Sequence, residues 1–548
     1  MLEPSGTAVT AASLRADRAA LHRRWYGAGF YQHRDLGTLI DATMTTAPRS
    51  ELLFETRGHR RQLSLRELAG TGRAVASGLH RAGLRPGDRI VVQLPHSPES
   101  FAVLVAALRS GLVTVPVPTA AGDDELAAVL ADSAARALFV PDQWRGRTAE
   151  QRIGATGSAA ALDQVFVVGP DAPPALAFEA LTKGPGDART VVTGPDDVCA
   201  ILYTSGSTGA PKGVRHSSNS LLAEIRTGWA ALSGTAVRRS FVALPSGHVG
   251  GLLSALIPLV TGEPAGFLDP WDATAALRLV RDCGATLMGA VPYFLISMLE
   301  AAAGDPTRLG DLRYCNVGGA GVPPVLIEQA DQLGVRAVRA YGLTEHPTVS
   351  NGAADDPLAV RAETDGRLSP GTRARILDRS GADQPPGEVG EIAVVGPEMM
   401  LGYTRETDDL AAHLPGGWFR TGDLGVLEPG DLLTVTGRLK DIIIRGGVNI
   451  AVSEIEATLM RHPAVADSAV VGVPDPRYGE RVLAVVVPAR GSSLSLDELR
   501  AHFVESGVGA VKTPEHLRVL PELPRGASGK VLRSRLVADW VADPPTSR

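Results

Sequence analysis

Between Tyr203 and Gly213 the chain reads Tyr-Thr-Ser-Gly-Ser-Thr-Gly-Ala-Pro-Lys-Gly: four small hydroxyls, three glycines and one lysine in eleven residues. Glycines let backbone N–H groups turn toward an anion, hydroxyls donate further hydrogen bonds, and the lysine supplies a positive charge. A triphosphate needs that combination. Val198–Tyr203 reads as a buried strand, so the loop opens at a strand end. A Walker A loop requires Gly, four residues, then Gly-Lys-Ser/Thr. Counted from Gly206, the second glycine position holds Pro211, and Lys212 precedes Gly213 instead of a hydroxyl residue. The Walker assignment fails.

The string Tyr203–Gly213 resembles the signature loop of the adenylate-forming superfamily, which contains acyl-CoA synthetases, the adenylation domains of nonribosomal peptide synthetases, and firefly luciferase. The resemblance implies that Thr204, Ser205, Gly206, Ser207, Thr208, Gly209 and Lys212 hold ATP phosphates. It continues in order along the chain. Val317-Gly318-Gly319-Ala320 is similar to a small-residue turn that lets backbone approach the purine, and Tyr341-Gly342-Leu343-Thr344-Glu345 to the aromatic-Gly-x-Thr-Glu element. There an aromatic face suits adenine, the hydroxyl of Thr344 the α-phosphate, and the carboxylate of Glu345 a magnesium ion, with Thr204 as a second oxygen donor. Trp418–Asp423 resembles the segment whose aspartate, here Asp423, accepts from both ribose hydroxyls. Gly437–Ile450 is similar to the inter-domain signature, which implies Arg438 on the nucleotide, Lys440 as hinge, and Gly446-Gly447 along the channel for a pantetheine thiol. Val452 stands where that signature carries proline, while Glu454, Ile455 and Glu456 match. Leu523–Lys530 is similar to the C-terminal lysine loop, with Gly526-Ala527 where many members have Thr-Pro and Lys530 in register as the catalytic lysine. The likeness runs from Leu36 to Arg535.

The elements that must carry these residues follow from periodicity. Short apolar runs at Arg89–Leu94, Val113–Val117, Ala137–Val140, Val165–Val168, Phe241–Leu244 and Ala285–Met288 alternate with helical spacing such as Ser97–Leu108. That alternation predicts an α/β body with largely parallel sheets. From Gly366 to Val395, turn residues and the runs Ala374–Leu377 and Glu391–Val395 predict a small antiparallel, β-barrel-like subdomain. Beyond Gly437 the pattern is α+β, with capping boxes expected at Ser453/Glu456 and Ser495/Glu498. The expected organisation is thus a body, residues 1–436, of two α/β subdomains plus the barrel-like one, and a mobile C-terminal domain, 437–548.

With 54 Lys and Arg against 60 Asp and Glu, the formal charge is −6 and no basic block stands out, which gives no support to a nucleic-acid partner. Cys199, Cys283 and Cys315 sit in apolar settings with no metal-ligand spacing, in keeping with a reducing cytoplasm. The apolar run from Phe101 to Val117 contains Arg109 and Pro116 and is too short for a transmembrane segment. The arginines at 15, 18, 23 and 24 precede no apolar stretch of the signal-peptide kind.

The implied chemistry is activation of a carboxylic acid by MgATP to acyl-AMP, followed by transfer to coenzyme A. His248, Val249 and Gly250, with Gly318 and Gly342, are expected along the acyl pocket, because Pro245–Gly251 resembles the acyl-CoA synthetase form of that motif. No acidic residue lies between Phe241 and Pro258, which disfavours an α-amino acid. The segments His248–Leu256, Gly289–Ile296 and Cys315–Gly321 are Gly/Ala-rich, apolar and free of Lys and Arg, favouring a bulky apolar monocarboxylic acid. Trp25–Tyr31 is similar to the leader of some aryl- and alicyclic-acid ligases, or is an aromatic flap packed on the body. A ligase loading a carrier protein, a luciferase-like oxygenase, and an inactive ATP or acyl-adenylate binding protein stay open as alternatives. A homodimer is compatible with any of them.

Overall fold

The computed structural model describes residues 9–144, 146–157, 162–184, 190–204, 211–232, 239–439, 441–445, 448–506, 508–526 and 530–543. Two largely parallel sheets form the body. In one, Val198–Thr204, Val113–Pro116, Arg89–Val92, Ala137–Pro141 and Gln164–Val168 lie side by side, and Lys212–Ser217 returns antiparallel to Val198–Thr204. The hairpin flanks the phosphate loop, of which residues 205–210 lie outside the described residues. In the other, Glu51–Thr56, Ala265–Asp269, Ser240–Val242, Leu287–Ala290, Tyr314–Val317 and Arg336–Leu343 run parallel.

The helix Pro98–Arg109 is buried along its whole length, and its N-terminus is fixed by a Ser97/Ser100 capping box with Pro98 in the first turn. Residues from both sheets share one core, in which Phe54, Phe101 and Phe267 pack with ring centres 4.8–5.2 Å apart. Burying three aromatic rings there contributes several kcal/mol, at roughly 25 cal/mol per Å² of apolar surface.

The strand Arg336–Leu343 changes partner along its length. Its first half pairs parallel with Tyr314–Val317, and its second half pairs antiparallel with His346–Asn351. The expected barrel-like region therefore continues the second sheet, through Leu432–Arg438, Trp418–Glu428, Gly390–Val395 and Arg373–Leu377. Tyr341–Glu345 sits where the two arrangements meet. After Arg438 the chain leaves this sheet and enters a separate one at Ile442–Arg445, built with Val448–Ala451, Val465–Asp475, Gly479–Pro488 and His516–Val519.

One capping expectation fails. The helix begins at Val452 with Ala451 as its cap residue, and the Ser453 hydroxyl donates to the Thr436 carbonyl while Glu456 accepts from Val470 N and Arg533. Tertiary partners outcompete the local box. The Ser495/Glu498 box forms as expected. The leader is the end of the helix Ala11–Gly27 and the turn after it, with Trp25 and Tyr31 buried in the body core. All three cysteines are buried. No described helix is long and apolar enough to cross a membrane.

Candidate active site

Thr204 ends the phosphate strand, and Lys212 begins its antiparallel return, directly opposite it. Behind this hairpin the Asp132 carboxylate accepts from Tyr203 Oη at 2.7 Å and Thr404 Oγ1 at 3.0 Å. Lys212 Nζ rests 2.7 Å from Asp408 and 5.3 Å from the centre of the Tyr403 ring. Tyr403 Oη in turn donates to Glu345 Oε1 at 2.5 Å. Lys212 and Glu345, far apart in sequence, are thus joined through one tyrosine. Burial pushes the Glu345 carboxyl above the usual carboxylate range, with the Tyr403 hydrogen bond acting the other way. A carboxylate so placed gains most from a nearby cation. Among the described residues no cluster of three or more His, Cys, Asp or Glu could enclose a metal ion. A magnesium ion here would share its oxygens between Glu345 and ATP phosphates, which suits this cation.

The turn bearing Thr344 and Glu345 is supported from beneath. His216, fully buried, donates from Nε2 to the Thr344 carbonyl at 2.8 Å, and Met400 N donates to the Glu345 carbonyl at 2.9 Å. A Cβ at Gly342 would lie 1.7 Å from the Pro347 carbonyl oxygen, so only glycine allows the two strands to close here.

Asp423 is 3% exposed, and both of its oxygens are engaged. Oδ2 accepts from Tyr341 Oη at 2.7 Å and Oδ1 from Arg438 Nε at 2.8 Å. Each oxygen keeps lone-pair capacity for a further donor, as a vicinal diol would require. The Tyr341 hydrogen bond was not foreseen: the ring expected to stack on adenine also positions the ribose acceptor. Lys530 shares the electrostatic field of this group. Desolvation by the cleft walls lowers its pKa, Arg438 lowers it further, and Asp423 and Glu345 raise it.

Thr204, Gly318, Gly319, Ala320, Tyr341, Gly342, Thr344, Asp423, Arg438 and Lys530 line one cleft of about 1770 Å³, together with His248, Val249 and Gly250. Glu345 and Lys212 are not among the lining residues: Glu345 follows Thr344 and turns to Tyr403, and Lys212, paired with Thr204, turns to Asp408. Ser205, Gly206, Ser207, Thr208, Gly209, Lys440, Gly446 and Gly447 lie outside the described residues.

His248 caps the helix Val249–Thr261 through its backbone and is half-buried, and its buried Nε2 has no hydrogen-bond partner among the described residues. Burial, with the charge of Lys530 in second place, lowers its pKa to about 4, so it faces the pocket neutral at pH 7. Of the expected pocket segments, residues 249–251, Leu253, Ser254, residues 289–293, Ile296, Asn316 and residues 318–321 line the cleft, whereas Leu252, Leu256, Leu295, Cys315 and Val317 are buried in the cores. One cleft residue escaped sequence reasoning. Glu224, on the helix Ser218–Leu232, lines the cleft, accepts from Thr348 Oγ1 at 2.8 Å, and shares a hydrogen bond with Glu398. Glu398 is wholly buried, and burial followed by the charge of Glu224 raises its pKa well above the usual range, so the pair retains a proton. A lone Glu in a helix reads as a solvated residue, and nothing local marks Glu398 as its partner.

Comparison with known proteins agrees with this arrangement. The family described as AMP-binding enzyme matches residues 40–404, and the AMP-binding enzyme C-terminal domain matches 454–530. The chain is 33% identical to the medium-chain fatty-acid–CoA ligase of Escherichia coli (strain K12), covering 85% of this chain and 83% of that protein. It is 35% identical to the sulfoacetate–CoA ligase of Cupriavidus necator, covering 86% and 90%. ATP-bound MatB from Rhodopseudomonas palustris superposes with a TM-score of 0.82 at 28% identity, over 92% of this chain and 99% of that one. With this motif order, this cleft and these relatives, the chain belongs to the AMP-binding enzyme family, the acyl-CoA synthetases of the adenylate-forming superfamily.

Proposed function

We propose that this protein is an AMP-forming acid–thiol ligase that converts a bulky, largely apolar monocarboxylic acid to its acyl-AMP and then to its coenzyme A thioester. The observation that carries the reading is the convergence of Lys530, Thr344, Asp423, Arg438 and His248 on one cleft. The acid's carboxylate attacks the α-phosphorus of ATP and pyrophosphate leaves, a step that depends on positioning and on neutralising developing charge. Lys530 bridges the carboxylate and an α-phosphate oxygen, and Thr344 holds the same phosphate. Lys212 exchanges Asp408 for the β- and γ-phosphates, Asp423 takes the ribose, and Glu345 with Thr204 offers oxygens to magnesium. That ion, when bound, neutralises phosphate charge. Residues 437–548 act as a domain that turns about Lys440, withdrawing Lys530 and bringing Gly446-Gly447 to the thiol channel.

The acceptor and the acid rest on different supports. Both relatives named above are CoA ligases, which favours coenzyme A, but a fatty acid and sulfoacetate have little in common. The apolar acid is favoured by the walls around His248, where Val249, Leu253, Ile257 and Met288 face the cleft. The test uses purified protein, MgATP, a panel of alkanoic and aryl acids, and either CoA or a phosphopantetheinylated carrier protein. Acyl-CoA formed from an apolar acid supports the reading; thioester formed only on the carrier rejects the acceptor. Lys530→Ala is expected to lower ATP–pyrophosphate exchange by about 100- to 1000-fold, the usual loss of a donor to a developing anion. Exchange near the wild-type rate would remove Lys530 from the mechanism.

A further inference from the structure

We infer that Arg18, in an N-terminal helix ahead of the region matched by the AMP-binding family, is a positioning residue for the magnesium–phosphate end of the active site. The Arg18 guanidinium grips Asp409 with two parallel hydrogen bonds, Nη1 to Oδ2 and Nη2 to Oδ1, each 2.9 Å. Asp409 is 4% exposed, and its Oδ1 also accepts from the backbone N–H of Tyr403 at 3.0 Å. Tyr403 is the residue that donates to Glu345 and underlies Lys212. The neighbouring Asp408 holds the Lys212 ammonium. Arg18 and Asp409, through the backbone of Tyr403 and the neighbouring Asp408, therefore link the leader helix to the residues proposed to meet magnesium and the terminal phosphates.

The backbone around this relay is built for it. Gly402 has φ +124°, and a Cβ there would lie 2.3 Å from Asp409 Oδ2 and 2.8 Å from Arg18 Nη2. Leu401 N and Thr404 N donate to the carbonyls of Arg215 and Gly213, and Met400 N to that of Glu345, so the segment 400–404 ties the phosphate hairpin to the Thr344–Glu345 turn. Asp17 accepts from Gly416 N, and Leu21 packs over Gly417, which seats the helix across the same region. The other charge facing Asp409 is a weaker hold, Arg215 at 3.9 Å, while His413, whose pKa burial lowers, meets the Asp409 backbone carbonyl through Nδ1 at 2.7 Å. A guanidinium that contacts both oxygens fixes the plane of the carboxylate, and hence the direction in which it receives the Tyr403 N–H, as an ammonium cannot.

The inference rests on Glu345 serving as the magnesium ligand, and the experiment separates the two. ATP is titrated calorimetrically, with and without magnesium, into the full-length wild type, Arg18→Met, Arg18→Lys, Asp409→Asn and Glu345→Gln, and melting temperatures are recorded in parallel. Arg18→Met and Asp409→Asn are expected to weaken MgATP binding by about tenfold or more, the loss of one charge-assisted hydrogen bond network, while metal-free ATP changes less and the KM for the acid stays within about twofold. Arg18→Lys falls between them and the wild type. MgATP affinity within about twofold of wild type in Arg18→Met overturns the inference. A lowered melting temperature with unchanged affinity overturns it equally, because that is what a purely structural strap produces. If Arg18→Met does not fold, Arg18→Lys and Asp409→Asn decide by the same criterion. Should magnesium enhancement survive in Glu345→Gln, the metal role of Glu345 falls and this inference with it. Should Glu345→Gln lose it and Arg18→Met keep it, only the inference falls.

Discussion

His216 allows a prediction whose size follows from its surroundings. The ring is completely buried under the Thr344 carbonyl, and burial lowers its pKa to about 4, against a small opposing effect of the hydrogen bond to Thr344. In the unfolded chain it titrates near 6.5. A histidine depressed in this way keeps its stability above pH 6.5 and loses it as the pH falls from 6.5 toward 4, because only the unfolded chain takes the proton. Between pH 7.5 and pH 5 that loss is about 2 kcal/mol for this one group. Many groups titrate over the same range, and buried carboxyls such as Glu398 act in the opposite direction. The difference between wild type and His216→Gln isolates the single histidine, since glutamine can still donate to Thr344 and takes no proton. Its neighbour His346 does not blur the result, because burial and then the charge of His216 hold it at about 3, neutral throughout the interval. Urea unfolding of the body followed by circular dichroism at pH 7.5 and pH 5 gives the double difference. The variant is expected to gain about 2 kcal/mol relative to wild type at the lower pH. Parallel pH dependences would refute a neutral, desolvated His216.

Two further outcomes follow from the site. Tyr341→Phe removes the donor to Asp423 while keeping the ring, so the KM for ATP should rise by about tenfold or more, as expected for a hydrogen bond to a charged group, with the KM for the acid unchanged; equal shifts in both would contradict the ribose-positioning role. Glu224→Gln should raise the melting temperature more at pH 8 than at pH 5, because an acid whose pKa is raised by burial costs stability increasingly as pH rises above the point where the unfolded chain ionises; a gain independent of pH would show that the titration is not the cause.

Much of the site was legible in the sequence because its chemistry lives in contiguous strings. Thr344, Asp423, Arg438 and Lys530, which the structure brings to one cleft, each come from a motif, and the order of motifs carried more than any one of them. The parallel body was equally legible from its apolar runs, since a strand buried on both faces leaves a mark in composition. What escaped were pairings set by tertiary contact. Arg18 and Asp409 stand 391 residues apart, and neither has a local signal to distinguish it from a solvated charge. Tyr403 follows a glycine in a two-residue strand too short to leave a periodic signal. Ser453 shows the converse failure: its capping box is written correctly in the sequence, but Thr436 offers the hydroxyl a carbonyl across the domain junction.

These contacts also bear on the role proposed for Lys530. Lys530 enters the cleft against the charge of Arg438 and against desolvation, and Asp423, which could balance it, is already shared between Arg438 and Tyr341. On the role proposed for Lys530, a nucleotide triphosphate, which adds several negative charges beside it, would favour the arrangement with Lys530 inserted over one with Lys530 withdrawn. Departure of pyrophosphate removes most of that charge, and acyl-AMP retains a single phosphate. In the proposed mechanism, that loss of charge would loosen the hold on Lys530 before the thiol step, without a separate switch.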